Sequence, residues 1–353
     1  KVVGYLCKYV PEEIIYANGA LTVRVLGSRE PQDVSETHIF GMYCPFCRDC
    51  LAQGLQGKYN YLDGLVNALS CIHIRQTYDS WWRNLPLAYH YYMFMPAHVQ
   101  SRHAQACLVG DMGEFRRSLE EWTGKPITEE GLWRAIQVYD TNRSLLRQLY
   151  ELRKAPHPPI SGAEVMEIVI ASQLMDKGEH SRLLAELLQQ LPQAGEGVRP
   201  AVRLMVLGSE NDDTEFLRLV ESLDATVVID DHCCGSRYFW NTVAAADGSA
   251  NGSPVEALAA RYLSRPPCPQ KDLVERRRFQ HILQLAQDYQ VQGVMFTHQK
   301  FCDPHEFDFP SLKALLEEQG IPTLMLEFDA TLPGGQFRTR LEAFLEMLVL
   351  EIV

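Results

Sequence analysis

The sequence lacks a surplus of positive charge, long hydrophobic runs and a phosphate-binding glycine loop, and each absence removes a class of function. Its 33 Lys and Arg are outnumbered by 45 Asp and Glu, giving a formal charge of −12 and a pI near 5.4. Such a balance repels a phosphate backbone, so no nucleic-acid partner is expected. No stretch reaches the roughly 18 consecutive apolar residues of a membrane span. Lys1 opens directly into the strand-like KVVGYLC, with no charged segment leading into a long apolar one. We therefore expect a soluble, cytoplasmic chain with no membrane attachment. No G-x-x-x-x-G-K-[ST] run occurs, so the chain brings no P-loop of its own for ATP.

What is present suffices for a sizeable core. The 353 residues, 46% hydrophobic and 22% charged, sit near the globular average and predict two domains, or one large α/β domain with insertions. Ten cysteines are the component that needs an account. A chain of this length does not need disulfide staples, and cytosolic thiols stay reduced, so metal ligation is the leading explanation.

Val2 to Leu6 reads as a strand, and VPEEIIYANGA, with a Pro and two Glu ahead of an apolar stretch, as a helix. LTVRVLG, YLDGLVNALSC (a buried strand ending near Ser70) and LAYHYYMFMP continue the strand series, with a cysteine-rich loop from Cys44 to Cys50 between the first two. Helical spacing then runs from Ser101 to about Lys154, broken at Gly124 to Pro126, and KAPHPPI is the linker candidate. Ser161 to about Leu191 reads as one long helical element opened by a capping box of Ser161 and Glu164, and PQAGEGVRP breaks it. AVRLMVLGS, ATVVIDD, GVMFTH and TLMLEF then restart the strand pattern. The alternation predicts an α/β chain of two doubly wound parallel-sheet lobes joined by helices. The expected partition is an N-terminal lobe with a helical extension over 1–155, a connecting helical segment over 156–195 and a C-terminal lobe over 196–353.

The cysteines fall at strand ends. Cys7 follows the first strand, Cys71 follows DGLVNALS, Cys233 and Cys234 follow VVIDDH, and Cys302 lies just past GVMFTHQKF. Loops outside the carboxyl ends of such strands form the ligand crevice, so two facing crevices would bring sulfurs from both halves together. Soft thiolates there favour an iron–sulfur cluster or zinc. In CPFCRDC, Cys44, Cys47 and Cys50 have the spacing with which a loop wraps either one, but Gly54 and Leu55 stand where a ferredoxin run carries its fourth Cys and the Pro after it. Cys107, in HAQACLVGDM, reads as a small buried hydrophobe, the common fate of a free thiol, a reading also open for Cys268 in RPPCPQKD. His73, His232, His298 and His305 crowd the same loops, as proton donors or as structural hydrogen-bonding groups. Tyr78, Trp81, Trp82, Tyr89, Tyr91 and Tyr92 form either core or the wall of an apolar channel. Arg75, Arg83 and Arg102 nearby could meet ligand phosphates or simply be solvated.

Five segments carry a resemblance that runs in order through both halves: GYLCKYVPEEIIYANGA, CPFCRDC, GKYNYLDGLVNALSCIHIRQTYDSW, DDHCCGSRYFW and FCDPHEFD. They resemble the 2-hydroxyacyl-CoA dehydratase and benzoyl-CoA reductase family. The last two, with PLAYHYYMFMPAHVQS, are most similar to the cluster-bearing subunits of ATP-dependent benzoyl-CoA reductase, and the length to the smaller of the two. The resemblance implies a two-lobed α/β fold with an iron–sulfur cluster, 4Fe-4S or double-cubane, in the cleft between lobes. It implies a CoA-thioester substrate, a homologous second cluster-bearing subunit, and electrons delivered by a separate ATP-hydrolysing activator with its own cluster. Cys7, Cys71 and Cys302 are most like family ligands. A double-cubane form would draw on Cys7, Cys44 and Cys71 with Cys233 or Cys234, Cys268 and Cys302. The implied activity is reduction of the benzoyl-CoA ring to a cyclic dienoyl-CoA. Dehydration of a 2-hydroxyacyl-CoA through a ketyl radical, or non-catalytic electron transfer, are the alternatives.

Overall fold

A computed structural model describes residues 1–28, 30–191, 202–243, 252–272, 276–329 and 334–352. Two four-stranded sheets, parallel throughout, are its frame. In the first lobe β1 (Val2–Tyr5), β2 (Leu21–Arg24), β3 (Gly64–Ala68) and β4 (Tyr89–Met93) stand in the order β2-β1-β3-β4. In the second, β5 (Val202–Gly208), β6 (Ala225–Asp231), β7 (Gly293–Gln299) and β8 (Thr323–Phe328) repeat it as β6-β5-β7-β8. The helices of the first lobe are α1 (Glu12–Ala17), α2 (Pro45–Leu55), α3 (Ile72–Asn84), α4 (Ala104–Thr123) and α5 (Glu129–Glu151). Next come α6 (Gly162–Leu174) and α7 (Lys177–Gln190). The second lobe adds α8 (Thr214–Glu221), α9 (Ser236–Phe239), α10 (Pro254–Ser264), α11 (Arg277–Asp288), α12 (Asp303–Glu318) and α13 (Gly334–Ile352).

Inner strands β3 (GLVNA) and β5 (VRLMVLG) are buried along their whole length, and β1 and β7 at all but one end residue each. A parallel sheet requires this because its crossover helices cover both faces. In each lobe the first strand lies between the second and third, so the chain leaves it in opposite directions and opens a crevice at the carboxyl ends. The second-lobe crevice depends on Gly208, which has a φ of +137° and lies so close to β7 that a Cβ would sit 1.9 Å from the Thr297 carbonyl oxygen. No other residue tolerates both conditions.

Three helices tie the lobes together. Helix α5 contributes Leu132 and Ile136 to the first core, and Leu146, Leu149 and Tyr150 to the second. Helix α6 packs against both β2 and β6. Helix α10, late in the sequence, places Leu258, Ala259 and Tyr262 in the first lobe's core. A buried ion pair locks this junction: Arg143 of α5 bonds the Glu13 carboxylate of α1, which also accepts from the Tyr262 hydroxyl at 3.0 Å.

The doubly wound, two-lobed reading stands, and all eight strand segments fold as strands. Three local readings need correction. CPFCRDC is not a loop: Pro45 sits at the first helical position and Cys44 is the N-cap of α2. The single element over Ser161 to Leu191 is two helices, because the Asp176 side chain accepts from the Glu179 amide and starts α7 afresh; the capping box of Ser161 and Glu164 does open α6. Cys107 is exposed on α4 rather than buried. The KAPHPPI connection is pinned, since the Arg203 guanidinium donates to the carbonyls of Arg153 and Ala155. The break at PQAGEGVRP, and with it the 195/196 boundary, lies outside the described residues.

Candidate metal centre

Each strand-end thiol is delivered to the cleft by the element that follows its strand. Cys7 follows β1 and is buried, and Cys71 and Cys302 are the N-caps of α3 and α12 after β3 and β7. Cys44 caps α2, so three thiols sit where helix amides and dipole favour a negative sulfur. Cys233 precedes α9, and Cys268 follows α10 with its amide donating to the Tyr9 hydroxyl at 3.2 Å.

Six of them act electrostatically on one another, and Cys47 joins them through Cys44 and Cys71. Burial pushes the Cys71 thiol well up, and the charges of Cys44, Cys268 and Cys7 push it further. Burial likewise raises Cys302, reinforced by Cys44, Cys71 and Cys233. Cys233 is raised to about 12, first by burial, with Cys268 among the neighbours that push it up. Cys44 goes the other way, to about 6, because Cys47 hydrogen-bonds its sulfur and His73 assists against burial. Cys234 is turned aside and donates to Glu210 Oε2 at 2.8 Å, so Cys233 is the member of that pair that faces the other thiols. Among the described residues no three His, Cys, Asp or Glu are arranged to grip one ion.

Buried cations ring the thiols, and the sequence reading missed them. Burial lowers Lys8 to about 7 and Lys271 to about 8, partly restored by Cys233 and Cys268 for the first and by Cys7, Cys268 and Cys71 for the second. Arg237 is fully buried, is drawn to Cys233, Asp231 and Cys268, pairs through Nε with Asp231 at 3.5 Å, and among the described residues its Nη1 has no hydrogen-bond partner. A signal was available: Lys8 is next to Cys7, and Arg237 and Lys271 each lie three residues past a Cys. The lysines reach only carbonyls, Lys8 that of Pro266 at 3.4 Å and Lys271 that of Met95 at 3.1 Å, so soft thiols beside buried positive charge form a donor set that fits a multiply anionic metal–sulfur group.

The loops are held by backbone clamps. Arg265 bonds the Lys8 carbonyl, and reaches those of Arg237 at 2.8 Å and Tyr238 at 3.0 Å, tying the Cys7 loop to the second lobe. Arg24 and Gln173 donate to the carbonyls of Cys233 and Cys234 at 3.0 and 2.9 Å. Of the histidines, His305 Nδ1 meets Cys302 Sγ at 3.3 Å, His73 Nδ1 accepts from the Cys44 amide at 3.1 Å, and His298 pairs with Glu306 at 2.9 Å. His232 is buried and held towards its neutral form by burial.

Beside the thiols lies a cavity of about 410 Å³ lined by Arg75, Tyr78, Asp79, Trp82, His90 and Tyr92. The Tyr92 phenol, pushed up to about 12 chiefly by burial, also feels Cys7 and Cys71. Its hydroxyl and His90 Nδ1 have no hydrogen-bond partner. The aromatic segment thus divides: Trp81 and Tyr89 are core, Trp82 and Tyr92 wall the cavity, and the buried Tyr78 belongs to both. Arg75 lines it too, whereas Arg102 bonds its neighbour His103 and Arg83 is exposed.

Two doubly wound lobes that carry cysteines at their facing strand ends define a class: two-domain α/β proteins with a thiol-lined cleft. Within it, the chain belongs to the family described as 2-hydroxyglutaryl-CoA dehydratase, D-component, whose model matches residues 7–348. It is 27% identical to the (R)-phenyllactyl-CoA dehydratase beta subunit of Clostridium sporogenes, covering 99% of this chain and 92% of that one. It is 28% identical to the beta subunit of the (R)-2-hydroxyglutaryl-CoA dehydratase of Acidaminococcus fermentans, covering 99% and 92%. A benzoyl-CoA reductase subunit of Thauera aromatica is 25% identical, covering 93% and 85%. These relatives support the family and do not single out reductase over dehydratase.

Proposed function

We propose that the chain is the iron–sulfur subunit of an ATP-dependent enzyme that acts on CoA thioesters, with Cys7, Cys44, Cys71, Cys233, Cys268 and Cys302 as its ligands. The observation that carries this is the convergence of those six thiols, three from each lobe, inside a shell of Lys8, Lys271 and Arg237. A single zinc ion needs four ligands about 2.0–2.3 Å away. Six thiols drawn from both lobes suit a polynuclear, double-cubane group better. When bound, that group supplies single low-potential electrons.

The protein's own residues do the rest. Lys8, Lys271 and Arg237 offset the negative charge of the thiolates, the Arg265 and Arg24 clamps hold the spacing of the lobes, and the closed cores exclude water. The cavity walled by Tyr78, Trp82 and Tyr92 suits an aromatic acyl group, and we assign the Tyr92 phenol as the donor to its thioester carbonyl. This favours reduction of benzoyl-CoA to a cyclic dienoyl-CoA. The second reading, dehydration of a 2-hydroxyacyl-CoA, draws on two dehydratase subunits of similar identity. A homologous second subunit and an ATP-hydrolysing activator complete the assembly, and the 1–155, 156–195 and 196–353 partition belongs to the same proposal. The test is product analysis of the reconstituted heteromer with ATP and a strong reductant. A cyclic diene from benzoyl-CoA supports the first reading, an enoyl-CoA from a 2-hydroxyacyl-CoA the second, and neither product from either substrate defeats both.

A further inference from the structure

CPFC at the start of α2 sets two thiols on one helical turn. Cys44 is the N-cap, Pro45 follows it, and Cys47 is the third helical residue. A helical turn of radius about 2.3 Å and rise about 1.5 Å per residue sets Cα atoms three residues apart at roughly 5 Å, inside the roughly 4.4–6.8 Å between the Cα atoms of a disulfide. Both thiols are free, and both lie on the first turn of α2. They differ as an attacking and a resolving thiol differ: Cys47 is fully enclosed, whereas Cys44 keeps 6% of its surface beside the exposed Gly41 and Met42. Cys50, one turn further on, points elsewhere, its sulfur 3.8 Å from the Val25 carbonyl oxygen.

We propose that Cys44 and Cys47 are a redox-active dithiol which, in the iron-free chain, closes to a disulfide and withholds Cys44 from the metal centre. The second clause rests on the metal-centre reading; the disulfide does not. With a peroxide as oxidant, the Cys44 sulfur attacks one peroxide oxygen and the O–O bond breaks. Cys44 becomes a sulfenic acid and its proton leaves with the departing hydroxide as water. The Cys47 sulfur then attacks the Cys44 sulfur, the S–O bond breaks, a second water leaves and the S–S bond forms. Two thiols are oxidised and one peroxide is reduced to two waters. A small dithiol reverses the change by exchange, becoming a disulfide itself.

The iron-free full-length chain is treated with hydrogen peroxide, alkylated and digested with trypsin. Cleavage after Arg29 and Arg48 frees residues 30–48, whose only cysteines are Cys44 and Cys47, while Cys50 lies on 49–58. The expected peptide is two hydrogens lighter and unalkylated, in the parent chain and in Cys50→Ser alike, and dithiothreitol restores its labelling. Uptake of ferrous iron and sulfide should be lost after peroxide and recovered with dithiothreitol in the parent, whereas in Cys47→Ser and Cys47→Ala the Cys44 sulfenic acid has no resolving thiol, oxidises further, and dithiothreitol should restore less of the uptake. An alkylated Cys44, or a crosslink between 30–48 and 49–58, overturns the disulfide. A parent chain that carries the disulfide yet takes up iron and sulfide in full overturns the withholding. A chain that takes up no iron even before oxidation defeats the metal-centre reading and the withholding with it, while the peptide mass still decides the disulfide.

Discussion

At the scale of single residues, position after a strand was legible and direction was not. Cys7, Cys71 and Cys302 could be placed from the apolar runs that precede them, because strand ends of a doubly wound sheet open on one crevice. That Cys233 faces the other thiols while its neighbour Cys234 turns to Glu210 depends on a local backbone path that no spacing reveals. Cys107 looked like core on a helical stretch, yet its side chain falls on the outer face of α4. Replacing Cys7, Cys71 or Cys302 with Ala should therefore strip most of the iron, because a lost thiolate leaves metal undercoordinated and admits water, whereas Cys107→Ala should leave iron per chain unchanged. Tyr92→Phe removes one hydroxyl from the cavity and no thiol. It should keep full iron while turnover falls by about 10²-fold, the usual loss for one donor to a developing oxyanion. A parallel loss of iron and activity would show that Tyr92 merely supports the cleft.

At the scale of elements, the strands were readable because fully buried parallel strands are short unbroken apolar runs between turn residues. Helix boundaries failed where polar side chains set them. Pro45 at the first position of α2 and Asp176 capping α7 were both visible signals, overshadowed by the cysteines in one case and by continuous helical spacing in the other. The junction of α1, α5 and α10 was not legible, because Glu13, Arg143 and Tyr262 meet across more than a hundred residues. That junction has a pH signature. Burial alone would raise Glu13, but Arg143 and Arg261 outweigh it and hold its carboxyl down at about 2. A carboxyl depressed on folding adds stability that is complete above its ordinary value and is lost as pH falls towards its folded one. Denaturation midpoints should thus drop between about pH 5 and pH 2, by roughly 3 kcal/mol for this group. In Glu13→Gln the drop should shrink, with a baseline several kcal/mol lower at neutral pH because Arg143 loses its partner. An unchanged acid profile in the variant would remove Glu13 from the junction's energetics.

For the whole molecule, the two-lobed plan was readable from the repeated strand pattern, but the closing of the cleft was not. It depends on α10 crossing to the first lobe's core and carrying Cys268 back towards Cys7 and Cys71. On the proposed function, low-potential electrons come from a separate ATP-hydrolysing component. The isolated chain should bind iron yet convert neither CoA ester with ATP and a strong reductant until an ATP-hydrolysing component and a homologous subunit are added. Turnover by the chain alone, assayed anaerobically by product formation, would contradict that division. The most direct test of the central claim, that six thiols from two lobes hold one polynuclear iron–sulfur group, is the iron and acid-labile sulfide content of the anaerobically purified chain. Iron and sulfide in near-equal amounts, at about eight irons per chain, are the predicted result, and zinc without sulfide would contradict it.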